Sequence, residues 1–372
     1  MRVLVAGGGS GGHVVPALAV SAELKKRGAE VLFVGHTPAD RRLVEAAGFP
    51  FEAIPAGKLR RYFSIRTLFE PLGVFRGYRR SLRIIKRFRP DVLFAKGGFV
   101  ALPVMRAAKR RGIPIVLHES DLVPGLANRT GGKWAAVTAV SFPPERMQWQ
   151  PAGRVVQTGN PLRSEILKGK AERARKTFGL SASLPVVLVL GGSQGSRTIN
   201  ETLAAALPEL LPEAQVIHQV GERAGEAVGR YVAAAPAEYR KRYHVRAFLG
   251  DELFDCYAAT DLVVTRAGAG GLAEVAAVGK PAVVIPLASA AGGHQAANAA
   301  VFKDADAAVV VPEGRLDGAE LARTVKRLLH DPTRRARLGR AARSLAHLDA
   351  AAKVAELVWE TGKQGENKER DA

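Results

Sequence analysis

Cysteine is almost absent from this 372-residue chain, and its one thiol, Cys256, excludes an internal disulfide framework. A lone cysteine fits a reducing compartment, where it is expected to be buried and inert. Long apolar runs are missing as well. No stretch approaches the roughly 18 residues a membrane-spanning helix needs, so any membrane contact is expected to be peripheral. Met1-Arg2-Val3-Leu4-Val5 reads directly as a first strand, so no leader is expected before it and a cytoplasmic protein is expected. No H-E-x-x-H helix or cysteine pair occurs, and no D-x-D doublet is placed to hold a divalent ion against a diphosphate. The expected chemistry therefore uses no metal and no cofactor.

Acidic residues are also in short supply: 35 Asp and Glu face 55 Lys and Arg, for a net charge of +20. The excess sits in one half. Residues 1–165 carry 27 basic and 11 acidic residues, residues 166–372 carry 28 and 24, and Lys58 to Arg111 alone carries 16 and 2. An anionic ligand or surface is expected to meet that half. Nucleic acid and an anionic membrane both fit the charge.

The length exceeds what one hydrophobic core usually serves, so two domains of roughly 150–200 residues are expected. Val3–Ala6, Val31–Val34, Val92–Ala95, Ile113–Leu117, Val186–Leu190, Val216–Val220, Leu262–Thr265 and Ala282–Pro286 read as buried strands separated by helical stretches. Such alternation predicts an α/β protein with parallel sheets covered by helices. The first helix, Val14 to Arg27, is expected to turn Leu18, Ala22 and Leu24 toward the core. Each half opens on the same unit, a strand, a glycine-rich turn and a helix: Gly7-Gly8-Gly9-Ser10-Gly11-Gly12-His13 in one, Gly191-Gly192-Ser193-Gln194-Gly195 in the other. Two Rossmann-like domains facing a central cleft are inferred, with Gly153 to Leu180 as the connection.

Gly7, Gly9 and Gly12 match G-x-G-x-x-G, but the second strand runs into Gly35-His36-Thr37 with no acidic residue to hold a nicotinamide ribose, which argues against a dehydrogenase. What the turns do supply is open backbone N–H at a helix N-terminus, where an anion is favoured. His13 stands beside that site and can accept a proton near neutral pH. His118-Glu119 ends the fifth strand, at the edge where open sheets bind ligands. In the second half, Glu274 follows Thr265-Arg266-Ala267-Gly268-Ala269 by about one helical turn, where a carboxylate can accept from two ribose hydroxyls. The amides of Gln295 and Asn298 can read sugar hydroxyls.

In order along the chain, Gly9–His13 with Pro16, Lys96-Gly97-Gly98-Phe99-Val100, His118-Glu119, Gly159-Asn160-Pro161 with Arg163, Gly191–Gly195, Arg266–Glu274, and His294-Gln295 with Asn298 resemble the MurG family of bacterial glycosyltransferases. The resemblance covers nearly the whole chain. It implies a GT-B fold and inverting transfer of N-acetylglucosamine from UDP-N-acetylglucosamine to the 4-hydroxyl of N-acetylmuramic acid in lipid I, giving lipid II. Residues 1–160 would form the acceptor and membrane-facing domain, 161–350 the UDP-sugar domain, and 351–372 a terminal helix and disordered tail. Carried over by position, Ser193 and Arg163 face the diphosphate, Leu249 the uracil through its backbone, Glu274 the ribose and Gln295 the sugar. Ser10, Gly11, Gly12 and His13 face the diphosphate and acceptor, with His13 and Glu119 as the catalytic pair.

Two departures stand out. The family usually has Gln-Asn after His-Glu, where this chain has Ser120-Asp121, and Asp121 accepts hydrogen bonds but does not donate as an amide does. Ala269-Gly270-Gly271 replaces bulkier, hydroxylated residues, leaving backbone contacts at that turn. Another GT-B transferase or a UDP-sugar epimerase shares the two-domain plan. A nucleic-acid binder explains the charge but neither glycine turn, so no nucleic-acid partner is expected. Leu59 to Arg89 places Tyr62, Phe63, Leu72 and Phe75 beside Arg76, Arg79, Arg80, Arg83, Lys86 and Arg87, a composition suited to shallow insertion at an anionic membrane. A peripheral position on the cytoplasmic side of the plasma membrane is expected.

Overall fold

A computed structural model describes residues 1–9, 11–57, 70–192 and 194–370. The chain divides into two compact units, one of Met1–Arg163 with the segment from His347 onward, the other of Ser164–Ala346.

In the first unit, β1 (Arg2–Gly7), β2 (Glu30–Gly35), β3 (Phe51–Ala53), β4 (Val92–Gly97), β5 (Ile115–Glu119), β6 (Val137–Val140) and β7 (Arg154–Gln157) form one parallel sheet in the order β3-β2-β1-β4-β5-β6-β7. Val3-Leu4-Val5-Ala6 and Val92-Leu93-Phe94-Ala95 are wholly buried because helices cover both faces. On one face Val3, Val5 and Phe94 pack with the helix Gly11–Lys26. On the other, Leu4, Leu93 and Leu117 pack with Ile84 and Ile85 of the helix Glu70–Phe88 and with Val104 and Met105 of the helix Ala101–Arg110.

The second unit repeats the plan with β8 (Val186–Leu190), β9 (Gln215–Gln219), β10 (Tyr243–Arg246), β11 (Leu262–Arg266), β12 (Ala282–Ile285) and β13 (Val309–Val310), ordered β10-β9-β8-β11-β12-β13 and all parallel. Both units are Rossmann-like, as expected.

The structure differs from the sequence reading in three places. The first helix buries Val14, Ala17, Ser21 and Leu24, whereas Ala22 is exposed. The buried set steps by three and four residues, and Ala22 lies about 200° from Leu24 around a 3.6-residue helix. Arg154–Gln157, read as part of the connection, is the edge strand β7. Finally, Gly362 to Arg370 is helical rather than a disordered tail: the helix Ala350–Arg370 lies on the first unit. Val354 and Val358 are fully buried there, at about 1.5–3 kcal/mol each, against about 1 kcal/mol for each helical glycine. The glycines also have a packing reason, since a Cβ on Gly362 would overlap Met1, and one on Gly365 would press on Pro114.

Candidate active site

Strand order reverses between β1 and β4 in one sheet and between β8 and β11 in the other, and open parallel sheets bind ligands beyond the carboxyl ends of strands at such points. The turns singled out in the sequence leave those strands.

In the first unit the glycine turn after β1 is organised by Asp40, which sequence reasoning missed. Its buried carboxylate accepts from the N–H of Gly9 (3.1 Å), His36 (3.1 Å) and Thr37 (2.9 Å). The Thr37-x-x-Asp40 capping box was the available signal. Gly9 takes φ +82° and spends its N–H on Asp40, so the helix start at Gly11 and Gly12 carries the donors left for an anion. Ser10 lies outside the described residues. His13 sits on the first turn, half-buried, with its ring over Gly98: a Cβ there would stand 3.4 Å from His13 Cε1. Burial, and after it the Lys96 ammonium, hold the imidazole down at about 4, so it is neutral at physiological pH.

Glu119 ends β5 and is buried. Its carboxylate accepts from Asp121 N (2.9 Å), Gly125 N (3.3 Å) and Asn128 Nδ2 (2.9 Å), which ties down the loop that follows. Burial, then the charge of Asp121, push it up to about 7. His118 donates from Nε2 to the Gly159 carbonyl (3.0 Å), and burial holds it neutral. Lys96, at the end of β4, is 1% exposed and donates to Ser120 Oγ; burial brings it down to about 8. Asp121 and Arg163 are partly exposed, and Arg163 closes the first unit.

In the second unit Ser193 lies outside the described residues, between Gly192 (φ +87°) and Gly195 (φ +79°). Ser196 caps the helix Arg197–Leu210 and accepts from Arg266 Nη2 (2.6 Å). Arg266 also donates to Glu313 Oε1 (2.6 Å), so its charge is already paired. Gln219 is a second residue the sequence reading missed: it donates to Gly192 O (3.2 Å) and accepts from Leu249 N (2.9 Å), joining the glycine turn to Leu249. With its N–H so used, buried Leu249 has its carbonyl to offer a ligand. Glu274 accepts from the Tyr257 hydroxyl (3.0 Å), and burial raises Tyr257 well above its ordinary value, keeping it a donor. Ala269 opens the helix Ala269–Val278 and is buried. Gln295 Oε1 accepts from Leu287 N (2.9 Å), leaving its N–H donors for a ligand.

Asn298 does not read a sugar. Fully buried, it donates to the Ala267 carbonyl (3.1 Å) and braces the turn after β11. The doublet Asp304-Ala305-Asp306 closes the helix His294–Asp304 at the end remote from its Gln295 turn, and Asp306 pairs with Arg337 (2.8 Å). Burial pushes the Cys256 thiol up to about 12, as an inert core residue requires.

Residues 3–140 match the glycosyltransferase family 28 N-terminal domain, and residues 186–357 match the family's C-terminal domain. The chain belongs to glycosyltransferase family 28. Its relatives in this family include the UDP-N-acetylglucosamine–N-acetylmuramyl-(pentapeptide) pyrophosphoryl-undecaprenol N-acetylglucosamine transferase of Lachnoclostridium phytofermentans, 36% identical over 87% of this chain and 89% of that one. The enzyme of the same name from Clostridium perfringens is 37% identical over 88% and 90%. Among solved structures, Acinetobacter baumannii MurG superposes with a TM-score of 0.74 at 28% identity, covering 96% of this chain and 99% of that one. A UDP-GlcNAc 2-epimerase from Neisseria meningitidis shares the fold at 11% identity (TM-score 0.66; 97% and 100% covered). The family 28 matches span both glycine turns and both switch points, and the MurG structure superposes over 96% of the chain, so the resemblance to MurG and the GT-B plan hold.

Proposed function

We propose that this family 28 chain is the transferase that moves N-acetylglucosamine from UDP-N-acetylglucosamine to lipid I, giving lipid II. The observation that carries it is the 36% identity, over 87% of the chain, with a transferase named for that reaction. In an inverting transfer the 4-hydroxyl oxygen of N-acetylmuramic acid attacks the anomeric carbon, the bond from that carbon to the diphosphate oxygen breaks, and UDP leaves. The hydroxyl proton goes to His13, whose neutral ring supports the role. Glu119, with its carboxylate engaged by the 121–128 loop, suits holding that loop and Asp121 against the acceptor rather than taking the proton.

The leaving diphosphate is stabilised by the helix start at Gly11-Gly12 and by Ser10, Ser193 and Arg163. Uracil N3–H is accepted by the Leu249 carbonyl, the ribose hydroxyls by Glu274, and the sugar meets the Gln295 amide and the backbone at Ala269. No nucleic acid is needed to account for the basic half. Among the described residues no helix is long and apolar enough to cross a membrane, and the helix Glu70–Phe88 suits peripheral docking. Leu72, Phe75, Arg76, Arg79 and Arg83 are exposed along it at helical spacing, with the Arg79 guanidinium 6.0 Å from the Phe75 ring. Lys58 to Phe69, the rest of that segment, lies outside the described residues.

The test is incubation with UDP-N-acetylglucosamine and a short-chain lipid I analogue. Release of UDP matched by a lipid II product is expected. Conversion of the donor to its C2 epimer without acceptor would establish the epimerase reading instead.

A further inference from the structure

At the amino ends of β1, β4 and β5, the edge of the sheet opposite the glycine turn, lies a cavity of about 570 Å³, a volume ordinary for a small-ligand site. Arg2, Lys86, Arg89 and Arg111 line it, together with Gln364 of the last helix and one carboxylate, Asp91. Asp91 is engaged by the chain itself: its Oδ2 accepts from the Arg2 N–H (2.6 Å), joining the starts of β1 and β4. None of the four side-chain cations has an ion pair or a hydrogen bond among the described residues. Basic residues in a last helical turn often do no more than answer the helix dipole, and Lys109 and Arg110, outside the cavity, fit that account. It does not reach Arg2, which opens a strand, nor the backbone of Arg89.

Arg89 follows the helix Glu70–Phe88 at φ +50°, the left-handed region that a side chain disfavours, and it precedes Pro90, which favours extended backbone. Five other helices of this chain turn off through glycine at positive φ, at Gly28, Gly48, Gly112, Gly179 and Gly279. Among the described residues only Asp306 shares the exception, and its carboxylate pairs with Arg337 (2.8 Å). Arg89 bears the same strain, and its guanidinium points to no partner in the protein. Backbone strain of this kind gathers where a side chain serves a ligand.

We propose that this cavity is a phosphate site, taking the phosphoryl group of a soluble polyphosphate or of an anionic lipid headgroup. The four cations exceed Asp91 by three charges, which suits an anion of more than one charge. Three guanidinium forks and an ammonium can donate to several phosphoryl oxygens at once, more donors than a single carboxylate uses. Lys86 also continues, at helical spacing, the exposed Arg79 and Arg83, so the basic face of the helix Glu70–Phe88 runs into the cavity. The site stands at the far edge of the sheet from His13 and does not depend on the reaction proposed above.

The experiment titrates the full chain, its donor site filled with saturating UDP, with inorganic pyrophosphate at low salt by calorimetry. Saturable binding at one site is expected. Arg89→Gly and Arg111→Ala should each weaken it about tenfold or more, the range of a lost charge-assisted hydrogen bond, whereas Lys109→Ala, at the same helix end but outside the cavity, should change it less than about threefold. Arg89→Gly should fold, because glycine takes that backbone without strain, and Arg111→Ala keeps the test independent of it. No saturable binding to the wild type overturns the proposal, as does an equal loss in Lys109→Ala and in the two cavity variants. Sedimentation with phosphatidylglycerol vesicles then separates the sources. A loss in Arg89→Gly and Arg111→Ala that Lys109→Ala does not show supports the site and assigns it to a lipid phosphate. Sedimentation that all three variants retain, beside weakened pyrophosphate binding in the cavity variants, supports the site and assigns it to a soluble one.

Discussion

Glu274 is the residue at which the donor assignment can be tested without the lipid. Its Oε2 accepts from the Tyr257 hydroxyl at 3.0 Å, which orients the carboxylate, and an ionised carboxylate has about four acceptor positions to share with a ribose diol. Hydrogen bonds to a charged acceptor contribute about 1.5–3 kcal/mol, and the diol shares the group with Tyr257, so the lower bound for Glu274→Ala is one such bond. That is a loss of roughly 10- to 150-fold in UDP affinity. Tyr257→Phe keeps the carboxylate and removes only the bond that orients it, not one made to the nucleotide, so it should weaken UDP by less than about 10-fold. Calorimetric titration with UDP measures both, and a thermal melt shows whether either change has simply loosened the helix. If Glu274→Ala binds UDP as the wild type does, the ribose assignment is wrong. If Tyr257→Phe costs more than Glu274→Ala, Tyr257 itself touches the nucleotide.

His13→Asn should lower kcat by roughly 10²–10⁴ with UDP affinity unchanged, and because the imidazole is held at about 4, the acid limb due to this group should lie near pH 4 rather than 6.5; pH–rate profiles and calorimetry check this. Reversing Arg76, Arg79 and Arg83 to Glu should abolish sedimentation with anionic vesicles, at about 1 kcal/mol for each basic residue lost, and spare transfer to a water-soluble acceptor. Arg80 is a poorer target, since Glu52 already pairs with both Arg80 and Arg87. Gly77→Ala, which helix propensity alone would make stabilising by about 1 kcal/mol, should destabilise by about 1–3 kcal/mol, because a Cβ there would overlap the Pro55 carbonyl. A melt at or above the wild-type temperature would show that the Pro55 segment yields.

Features set by neighbouring residues are legible in the sequence itself. Unbroken apolar runs require a sheet covered on both faces, glycine turns after such runs mark helix starts that meet anions, and the charge gradient marks one half as the basic one. These signals located β1, β4, β8 and β11, and with them both switch points. Short or polar-edged strands such as β3 and β7 carried no such pattern. Which polar groups meet was decided by tertiary structure alone, because a hydrogen bond between Asp40 and Gly9, Gln219 and Leu249, or Tyr257 and Glu274 joins residues far apart in sequence and leaves no periodicity to read. The last helix shows the same division. Its apolar stripe could be seen in the sequence, but only the fold pairs Val354 and Val358 with β1 and the first helix, returning the end of the chain to the unit where it began. Lys96 marks the boundary most sharply: its place at the end of a strand could be read from the residues around it, whereas the one-residue slip against β1 that turns its ammonium inward exists only once two strands 89 residues apart are paired.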